Sequence, residues 1–340
     1  MSVETFRWGL IGPGNIAGRF AEAVQSMPGS ALAAVQGRDA GRAEAFARHW
    51  SRPDRPPVRV AADLTALLAD PQIDAVYIAT PHAQHGELLR LCIEAGKPVL
   101  CEKPLVPSAA IAAPLLALAR ERRVFVMEAL WTRFLPVYDI VGGWLRAQAI
   151  GPLRGIQSSF CFPTTYEPES RLYSPALAGG ALLDVGIYNL SMSRWVLQQA
   201  WGACPAPLAI RASGLLAPTG VDQRVNASLD FAEGLTAQFI CGFDGVADNG
   251  LRIFGERGMI SLPQNFWEAT EATLQRPGQT VERVAAPFRI NGFEGEIEEA
   301  QACIAAGLME SLRMPHAETL TTLDWMDQIR RQLGVRYPFE

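Results

Sequence analysis

The sequence predicts an α/β domain with a doubly wound parallel sheet, followed by an α+β domain with a largely antiparallel sheet. The first observation is length, because 340 residues are too many for one ordinary hydrophobic core. The second is that short apolar runs alternate with helical patterns in the first part of the chain, which is typical of βαβ units. The third is that strand patterns then follow one another directly, which is typical of an antiparallel or mixed sheet. We place the boundary between residues 129 and 130.

The first part begins with a strand over residues 6–11 and a glycine-rich turn over 12–18, and apolar residues then recur at helical spacing. Asp63 is placed to cap the helix that follows it. The further predicted strands cover residues 31–35, 58–60, 74–79, 98–101 and 124–127, and the further helices cover residues 40–50, 64–68, 85–95 and 108–122. This alternation predicts the parallel sheet.

The second part contains strand patterns with few helices between them. Glu233-Gly234 and residues 256–258 are plausible turns. The predicted strands cover residues 154–162, 209–215, 224–231, 235–241 and 251–254, and the predicted helices cover residues 181–199, 294–308 and 322–333. This succession predicts the α+β domain.

Composition excludes several classes of function. The net charge of −5 gives no electrostatic case for binding nucleic acid, which usually requires a basic face, whereas an anionic small ligand stays possible. The six cysteines are scattered, which favours reduced thiols over a disulfide framework or a zinc site. No apolar run is long enough to span a membrane, and residues 1–7 show no secretion signal. We therefore expect a soluble, cytoplasmic protein.

A G-x-G-x-x-A pattern over residues 12–17 lies between the first strand and the first helix. The first glycine permits a tight turn, the second lets the backbone approach a pyrophosphate, and Ala17 permits close packing of helix and strand. A tight βα turn without a ligand is the alternative. The repeated βα units favour a dinucleotide site, lined by Gly12, Pro13, Gly14, Asn15 and Ile16.

The end of the second predicted strand bears on the choice of cofactor. Arg38 stands where a 2′-phosphate would lie, and no carboxylate precedes it, so we expect NADP ahead of NAD. Asp39 leaves three options open: it could pair with Arg38, cap the next helix or contact the ribose. NAD therefore stays possible.

Lys103 follows the fifth predicted strand, at the edge where doubly wound sheets bind ligands. A lysine beside a nicotinamide can lower the pKa of a neighbouring acid or polarise a substrate oxygen. Taken alone, an exposed turn lysine is the simpler interpretation. His82 and His85 lie at the same edge, and without a third ligand nearby we expect them beside cofactor or substrate, with no metal site.

Three segments together resemble the glucose-fructose oxidoreductase/inositol dehydrogenase (Gfo/Idh/MocA) family, and within it the dimeric dihydrodiol dehydrogenase branch. They are Ala-Thr-Pro-His-Ala-Gln-His at 79–85 with Cys-Glu-Lys-Pro at 101–104, Met-Glu-Ala-Leu-Trp-Thr-Arg-Phe at 127–134, and Gly-Gly-Ala-Leu-Leu-Asp-Val-Gly-Ile-Tyr at 179–188. The resemblance implies a Rossmann domain at 1–129 that binds NAD(P), and a substrate-binding and dimerisation domain at 130–340 whose C-terminal helix packs back on the first.

The resemblance also implies the catalytic residues. Lys103 would be the catalytic lysine, with a cis bond to Pro104. Many members carry a histidine in the third segment, whereas this chain has Tyr188, which would exchange the substrate proton. Lys103 would favour its phenolate. Asp184 lies four residues earlier, on the same face if the stretch is helical. Thr80, His82, His85 and Glu102 would adjoin the cofactor.

A substrate pocket needs aromatic faces and polar donors. The candidates are Trp131, Arg133, Arg171, Tyr188 and Trp267, with Phe160 and Tyr173 also considered. Taken singly, each fits a core or surface position better than a place in a substrate pocket. We expect reversible hydride transfer between NADP(H) and a sugar, polyol or cyclic diol, in a homodimer or higher homo-oligomer. The alternatives are an enzyme that retains its cofactor and cycles between two sugars, and a non-catalytic dinucleotide-dependent sensor.

Overall fold

A computed structural model describes residues 5–340 of the chain. Residues 1–4, which begin the segment expected to lack a secretion signal, lie outside the described residues. The chain divides into two compact units. The first comprises the described residues up to Trp131 together with Arg289–Leu320, and the second comprises Thr132–Phe288 together with Thr321–Glu340. The first unit therefore includes a segment, Arg289–Leu320, that the sequence analysis places in the second domain.

The sheet of the first unit is wholly parallel, with the strand order β3-β2-β1-β4-β5-β6 among the described residues. This order reverses direction between β1 and β4, where doubly wound folds bind ligands at the carboxyl ends of the strands. The strands are β1 (Phe6–Ile11), β2 (Ser30–Gln36), β3 (Arg59–Val60), β4 (Ala75–Ile78), β5 (Val99–Glu102) and β6 (Val126–Ala129). The predicted doubly wound sheet is confirmed.

Five helices connect these strands within the described part of the first unit. They are α1 (Asn15–Ser26), α2 (Ala40–Trp50), α3 (Leu64–Ala69), α4 (His82–Glu94) and α5 (Ala109–Arg122). The carboxylate of Asp63 accepts a hydrogen bond of 2.7 Å from the Ala66 amide, which confirms the predicted cap of α3. Helix α4 begins at His82, three residues before the predicted start, because Pro81 already occupies the position before the first helical residue.

Three aromatic side chains fix α1 against the sheet. Phe20 of α1 stacks on Tyr77 of β4 with 3.8 Å between ring centroids, and it meets Trp8 of β1 edge to face at 5.3 Å. All three are fully buried. Such pairs contribute about 0.5–1.5 kcal/mol each beyond their burial. This packing fixes the position of the α1 N-terminus beside the ends of β1 and β4.

The second unit is built on a mostly antiparallel sheet with the order β14-β13-β12-β11-β7-β10-β9-β8 among the described residues, in which β7 and β10 are parallel. The strands are β7 (Leu153–Cys161), β8 (Ala209–Leu216), β9 (Asp222–Asp230), β10 (Thr236–Gly242), β11 (Leu251–Gly255), β12 (Gly258–Leu262), β13 (Glu271–Gln275) and β14 (Glu282–Ala285). The predicted class is confirmed.

The sequence analysis missed β12, β13, β14 and a helix, α6 (Pro136–Arg146). The last two strands are short and carry charged residues, so their alternation of apolar and polar residues is weak. The signal for α6 was present, because Pro136 stands in its first turn and Val137, Val141 and Leu145 follow at four-residue spacing.

The predicted helix over residues 181–199 is helical but not uniform. It begins as a π-helix over Leu182–Gly186 and continues as α7 (Ile187–Trp201). The last helices are α8 (Glu294–Ala305), in the first unit, and α9 (His316–Leu333), which starts six residues before the predicted 322. None of the helices in residues 5–340 has the length and apolar character needed to cross a membrane.

Candidate active site

The glycine-rich turn after β1 requires glycine at its first position. Gly12 has φ +92°, and a Cβ there would lie 2.8 Å from Thr80 Cγ2 and 2.9 Å from the Ala79 carbonyl oxygen. A Cβ on Gly14, in contrast, would meet no atom within 4 Å. The backbone at Gly14 is therefore open to a group that approaches closely, as a pyrophosphate does in a dinucleotide site.

The N-terminus of α1 fits an anion. Gly14 occupies the N-cap and supplies no side-chain bond, and the first turn of the helix contains no acidic residue. The first amides and the positive end of the helix dipole are thus left for a ligand. Asn15 and Ile16 are exposed at this turn, whereas Ala17 is fully buried.

An exposed cation follows β2, and the carboxylate next to it in sequence is bonded to the start of the next helix. Arg38 is exposed. The Asp39 carboxylate accepts a hydrogen bond of 2.9 Å from the Arg42 amide and so caps α2. Of the three roles considered for Asp39, the structure shows the cap. Pro13 lies against the same strand end, because a Cβ on Gly37 would lie 2.7 Å from Pro13 Cδ.

Two buried glutamates anchor the turn that carries Lys103. The hydroxyl of Tyr77 donates to Glu102 Oε1, and the Lys103 amide donates to Glu102 Oε2 at 3.2 Å. Beyond Pro104, the Leu105 amide donates to Glu128 Oε1 at 2.7 Å. The Lys103–Pro104 bond is cis, as the resemblance implies. Burial, and next to it the charge of Glu102, raise the pKa of Tyr77 well above its usual value, so its hydroxyl stays a donor.

Glu128 was missed by the sequence analysis although it lies in one of the three matched segments. Its other oxygen accepts a bond of 2.9 Å from Thr319 Oγ1, so it ties the Lys103 turn to segment Arg289–Leu320 within the first unit. A signal existed, because an acidic residue inside an otherwise apolar strand is rarely buried without a polar partner.

His85 joins two backbone segments at the same edge of the sheet. Its Nε2 lies 2.8 Å from the Thr80 carbonyl oxygen and its Nδ1 lies 2.9 Å from that of Pro104. The ring is fully buried, and burial lowers its pKa, so we assign the neutral imidazole, which donates to one of the two carbonyls. The partners of the His85 ring nitrogens are thus backbone carbonyls. His82 is buried beside it, with 5.9 Å between ring centroids.

One polar atom at this edge lacks a partner. Thr80 Oγ1 is buried and makes no hydrogen bond within residues 5–340, and it belongs to the residue that packs on Gly12. A bound ligand could satisfy it. Trp131 is the last residue of the first chain segment of the first unit, and the guanidinium of Arg19 lies 4.5 Å from the centroid of its ring. Over residues 5–340, no group of His, Cys, Asp and Glu side chains is arranged as a metal site.

Aromatic side chains surround Tyr188 in the second unit. Tyr188 lies in the first turn of α7, and its ring centroid is 5.5 Å from that of Phe160 on β7. Phe160 in turn stacks on Trp267 with 3.3 Å between centroids and 3° between planes. The structure therefore brings together Tyr188, Phe160 and Trp267, which were proposed separately.

Asp184 and Arg171 are also brought together. Arg171 Nη1 donates to Asp184 Oδ1 at 2.8 Å. Asp184 belongs to the π-helix, a form that is rare and often found at functional sites. Arg133, expected at the substrate, has a buried guanidinium that donates to Ser191 Oγ at 3.0 Å and to the Ser191 carbonyl at 3.1 Å. It therefore holds α7 in place, and its contact with substrate stays a prediction.

Comparisons with known proteins cover up to 98% of the chain. A family profile described as an oxidoreductase family with an NAD-binding Rossmann fold matches residues 6–130, and that of the GFO/IDH/MocA C-terminal domain matches residues 141–261. Trans-1,2-dihydrobenzene-1,2-diol dehydrogenase of Mus musculus is 33% identical over 98% of both chains. That of Danio rerio is 34% identical over 97% of this chain and 98% of the relative.

Solved structures agree with this assignment. A 3-ketoreductase from Actinomadura kijaniata in complex with NADP and TDP-benzene is 25% identical, with a TM-score of 0.83 over 97% of this chain and 98% of that one. An aldose-aldose oxidoreductase from Caulobacter crescentus has a TM-score of 0.84 over the same shares, and at 23% identity it shows the fold alone. The protein is thus an NAD(P)-dependent oxidoreductase that acts on hydroxyl or keto groups. This chain belongs to the GFO/IDH/MocA family of oxidoreductases.

Proposed function

We propose that the protein is an NADP(H)-dependent oxidoreductase that transfers hydride to or from a secondary alcohol or carbonyl of a sugar, polyol or cyclic diol. Lys103 and Tyr188 form its catalytic pair. The observation that carries this proposal is the 33% identity, over 98% of both chains, with a dihydrodiol dehydrogenase. The anchored Lys103 turn and the aromatic surroundings of Tyr188 support it.

The first unit would hold the dinucleotide. The open backbone at Gly14 and the uncapped α1 N-terminus suit the pyrophosphate, and Thr80 Oγ1 offers a hydrogen bond. The exposed guanidinium of Arg38 suits a 2′-phosphate, since Asp39 caps α2. The nicotinamide, when bound, supplies or accepts the hydride. The 3-ketoreductase of Actinomadura kijaniata was solved with NADP, which supports the preference.

The chain itself handles the proton. In the oxidative direction Tyr188 Oη takes the proton of the substrate hydroxyl, and in the reductive direction it returns one to the new alkoxide. A free tyrosine has a pKa near ~10, so an ammonium that favours the phenolate is needed at neutral pH. We assign that role to Lys103. Asp184, paired with Arg171, orients Tyr188 or a substrate hydroxyl.

The aromatic group at Tyr188 favours a substrate with an apolar carbon face. The stacked rings of Phe160 and Trp267 offer a flat surface for the carbon face of a sugar or the ring of a cyclic diol. Among the relatives, the dihydrodiol dehydrogenases are named for a cyclic diol, and the 3-ketoreductase is named for a keto group. Arg171, whose side chain is exposed, would then donate to substrate hydroxyls.

Turnover of NADPH and NADP⁺ across aldoses, ketoses, dicarbonyls and cyclic diols tests this function. The sequence contains only two lysines, Lys97 and Lys103, which makes a matched pair of variants possible. Lys103→Met should remove turnover. Lys97→Met should retain normal turnover per folded molecule. Lack of turnover on every substrate, despite demonstrated NADPH binding, would shift support to the sensor hypothesis. If the purified protein shows the absorbance of reduced nicotinamide, the result would support the alternative in which the enzyme retains its cofactor and cycles between two sugars.

We also propose that two copies pair through the exposed face of the second unit's sheet. A groove of about 580 Å³ crosses β7 to β10 on that face and is lined largely by polar and charged side chains such as Ser213, Gln238 and Arg211. A sheet face of this kind can be covered by the same face of a second copy. Sedimentation equilibrium tests this directly, since a monomer at all concentrations would contradict it.

The six free cysteines are in keeping with a reducing cytoplasm.

A further inference from the structure

The tail segment, defined here as residues 335–340, folds back into the second unit and is held by a buried arginine. Arg330 of α9 donates to Asp327 Oδ1 at 2.7 Å and to both carboxylate oxygens of Glu340 at 2.7 and 3.0 Å. Its guanidinium also lies 4.8 Å from the centroid of the Tyr337 ring. Val335 and Tyr337 are buried. The tail is thus fixed by charge-assisted bonds and by packing.

Tyr337 reaches from this tail to the loop before the π-helix. Its buried hydroxyl donates to the Gly179 carbonyl oxygen at 2.6 Å. The amide of Gly179 donates in turn to the Ser174 carbonyl at 3.0 Å. Both polar groups of the Gly179 backbone are therefore satisfied, one of them by the tail.

The loop packs closely against its neighbours. A Cβ on Gly179 would lie 2.7 Å from the Leu172 carbonyl oxygen, and a Cβ on Gly180, which has φ +122°, would lie 2.4 Å from Asp222 Oδ1. The other oxygen of Asp222 accepts a bond of 2.6 Å from the Leu182 amide, at the first residue of the π-helix. Leu172, Asp222 and Tyr337 thus hold the loop from three sides.

This loop leads directly into the residues that carry the chemistry. Asp184 lies in the π-helix that begins two residues after Gly180, and Tyr188 lies in the first turn of α7. Displacement of a catalytic group by about 1 Å can lower a rate by about a hundredfold. A restraint on Gly179 therefore acts on the chain segment that leads to Tyr188, the phenol proposed to exchange the proton.

We propose that Tyr337 is a positioning residue that holds Tyr188 and Asp184 in place through its hydrogen bond to the Gly179 carbonyl. The proposal rests on the proposed function, because it assigns to the tail a role in the placement of Tyr188. Tyr337→Phe keeps the ring on Arg330 and removes only the donated hydrogen bond. Substrate turnover should fall about tenfold or more, with KM for NADPH unchanged.

A double-mutant cycle separates positioning from general stabilisation. Steady-state kinetics and NADPH binding are measured for wild type, Tyr188→Phe, Tyr337→Phe and the double variant, with Arg336→Ala, an exposed neighbour in the tail, as control. If Tyr337 acts through Tyr188, the Tyr337 substitution lowers kcat in the wild-type background and has no further effect in the Tyr188→Phe background. The pH profile of kcat should also shift in Tyr337→Phe and stay unchanged in Arg336→Ala.

Each other outcome overturns the inference in a recognisable way. Equal losses from Tyr337→Phe in both backgrounds indicate a structural role only. A loss in Tyr188→Phe with normal turnover in Tyr337→Phe refutes the positioning role and leaves the proposed function intact. Normal turnover in Tyr188→Phe refutes both. If Tyr337→Phe does not bind NADPH, Glu340→Gln, which weakens the hold of Arg330 on the tail, is put through the same cycle under the same criteria.

Discussion

Arg171 and Asp184 form an ion pair in which the two side chains differ in exposure, 57% for the arginine and 7% for the carboxylate. The carboxylate belongs to the π-helix that precedes Tyr188, whereas the guanidinium comes from the preceding loop. The pair therefore ties a solvent-exposed segment to the start of the proposed catalytic helix.

Arg171→Ala should lower kcat/KM for the carbon substrate by about tenfold, because it removes a charged hydrogen bond to the Asp184 carboxylate. NADPH binding should not change. Arg154→Ala is the control, since Arg154 also pairs with a carboxylate, Glu256, but in an exposed pair elsewhere in the second unit. Similar kinetic losses in both variants would contradict a specific role for Arg171.

Tyr188→Phe should lower kcat by about 10²- to 10⁴-fold, the usual effect of removing a general acid or base. Binding of NADPH, followed by its fluorescence, should be retained, because the residues proposed to hold it lie in the first unit. Tyr166→Phe, which alters a more exposed tyrosine of the same unit, should leave kcat unchanged. Near-normal turnover in Tyr188→Phe would refute the assignment.

Arg38→Ala should raise KM for NADPH by about ten- to a hundredfold and leave KM for NADH nearly unchanged, because the guanidinium is proposed to bind the 2′-phosphate that NADH lacks. Arg42→Ala is matched to it: this arginine is also exposed, and only its backbone amide takes part in the α2 cap. An equal change in KM for both cofactors would count against a phosphate contact.

The two lysines allow a test of Lys103 that does not require turnover. Lys97 donates to the carbonyls of Asp70 and Ile73 at 2.7 and 2.9 Å, so its amine is engaged by the backbone and serves as an internal reference. Acetylation followed by mass spectrometry should show that NADPH slows the modification of Lys103 and leaves that of Lys97 unchanged. Parallel rates with and without NADPH would place Lys103 away from the cofactor.

Local patterns in the sequence were sufficient for the dinucleotide unit. The turn at Gly12, the cap at Asp63 and the place of Lys103 after β5 each follow from a pattern only a few residues long, and the structure has all three as predicted. The π-helix could not be predicted in this way. Its first amide is held by Asp222, which lies 40 residues further along the chain on β9.

The same limit applies to residues whose type suggested a ligand. Arg133 and His85 were placed near the site by motif, yet the structure shows both buried and bonded to backbone carbonyls. A motif identifies residues that are needed at a site. It does not separate residues that touch the ligand from residues that only hold the ligand-binding residues in place. The structure adds their burial and their partners, and contact of either residue with a ligand stays a prediction.

Asp222 should make the stability of the second unit depend on pH near neutrality. Burial raises the pKa of its carboxyl from 3.8 to about 7, although the Leu182 amide and the charge of Arg330 act in the opposite direction. Tyr337 and Cys241 are the other titratable groups that face it. Because the folded state holds this proton more tightly than the unfolded state, the contribution to stability is fully present below pH 3.8 and is lost as pH rises through about 7.

Asp222→Asn removes the titration and keeps an oxygen that can accept from the Leu182 amide. Between about pH 4 and 7 the wild type should lose about 1.4 kcal/mol of unfolding free energy per pH unit relative to the variant, and the difference should level off above that range. Urea unfolding at constant ionic strength measures it, with Asp230→Asn as the control because Asp230 pairs with Arg211 at the surface. Parallel curves for wild type and Asp222→Asn between about pH 4 and 7 would mean that the folded carboxyl is already ionised over this range. Arg330 would then stabilise the charged form, and the Leu182 amide would donate to an ionised Asp222 carboxylate over this whole pH range.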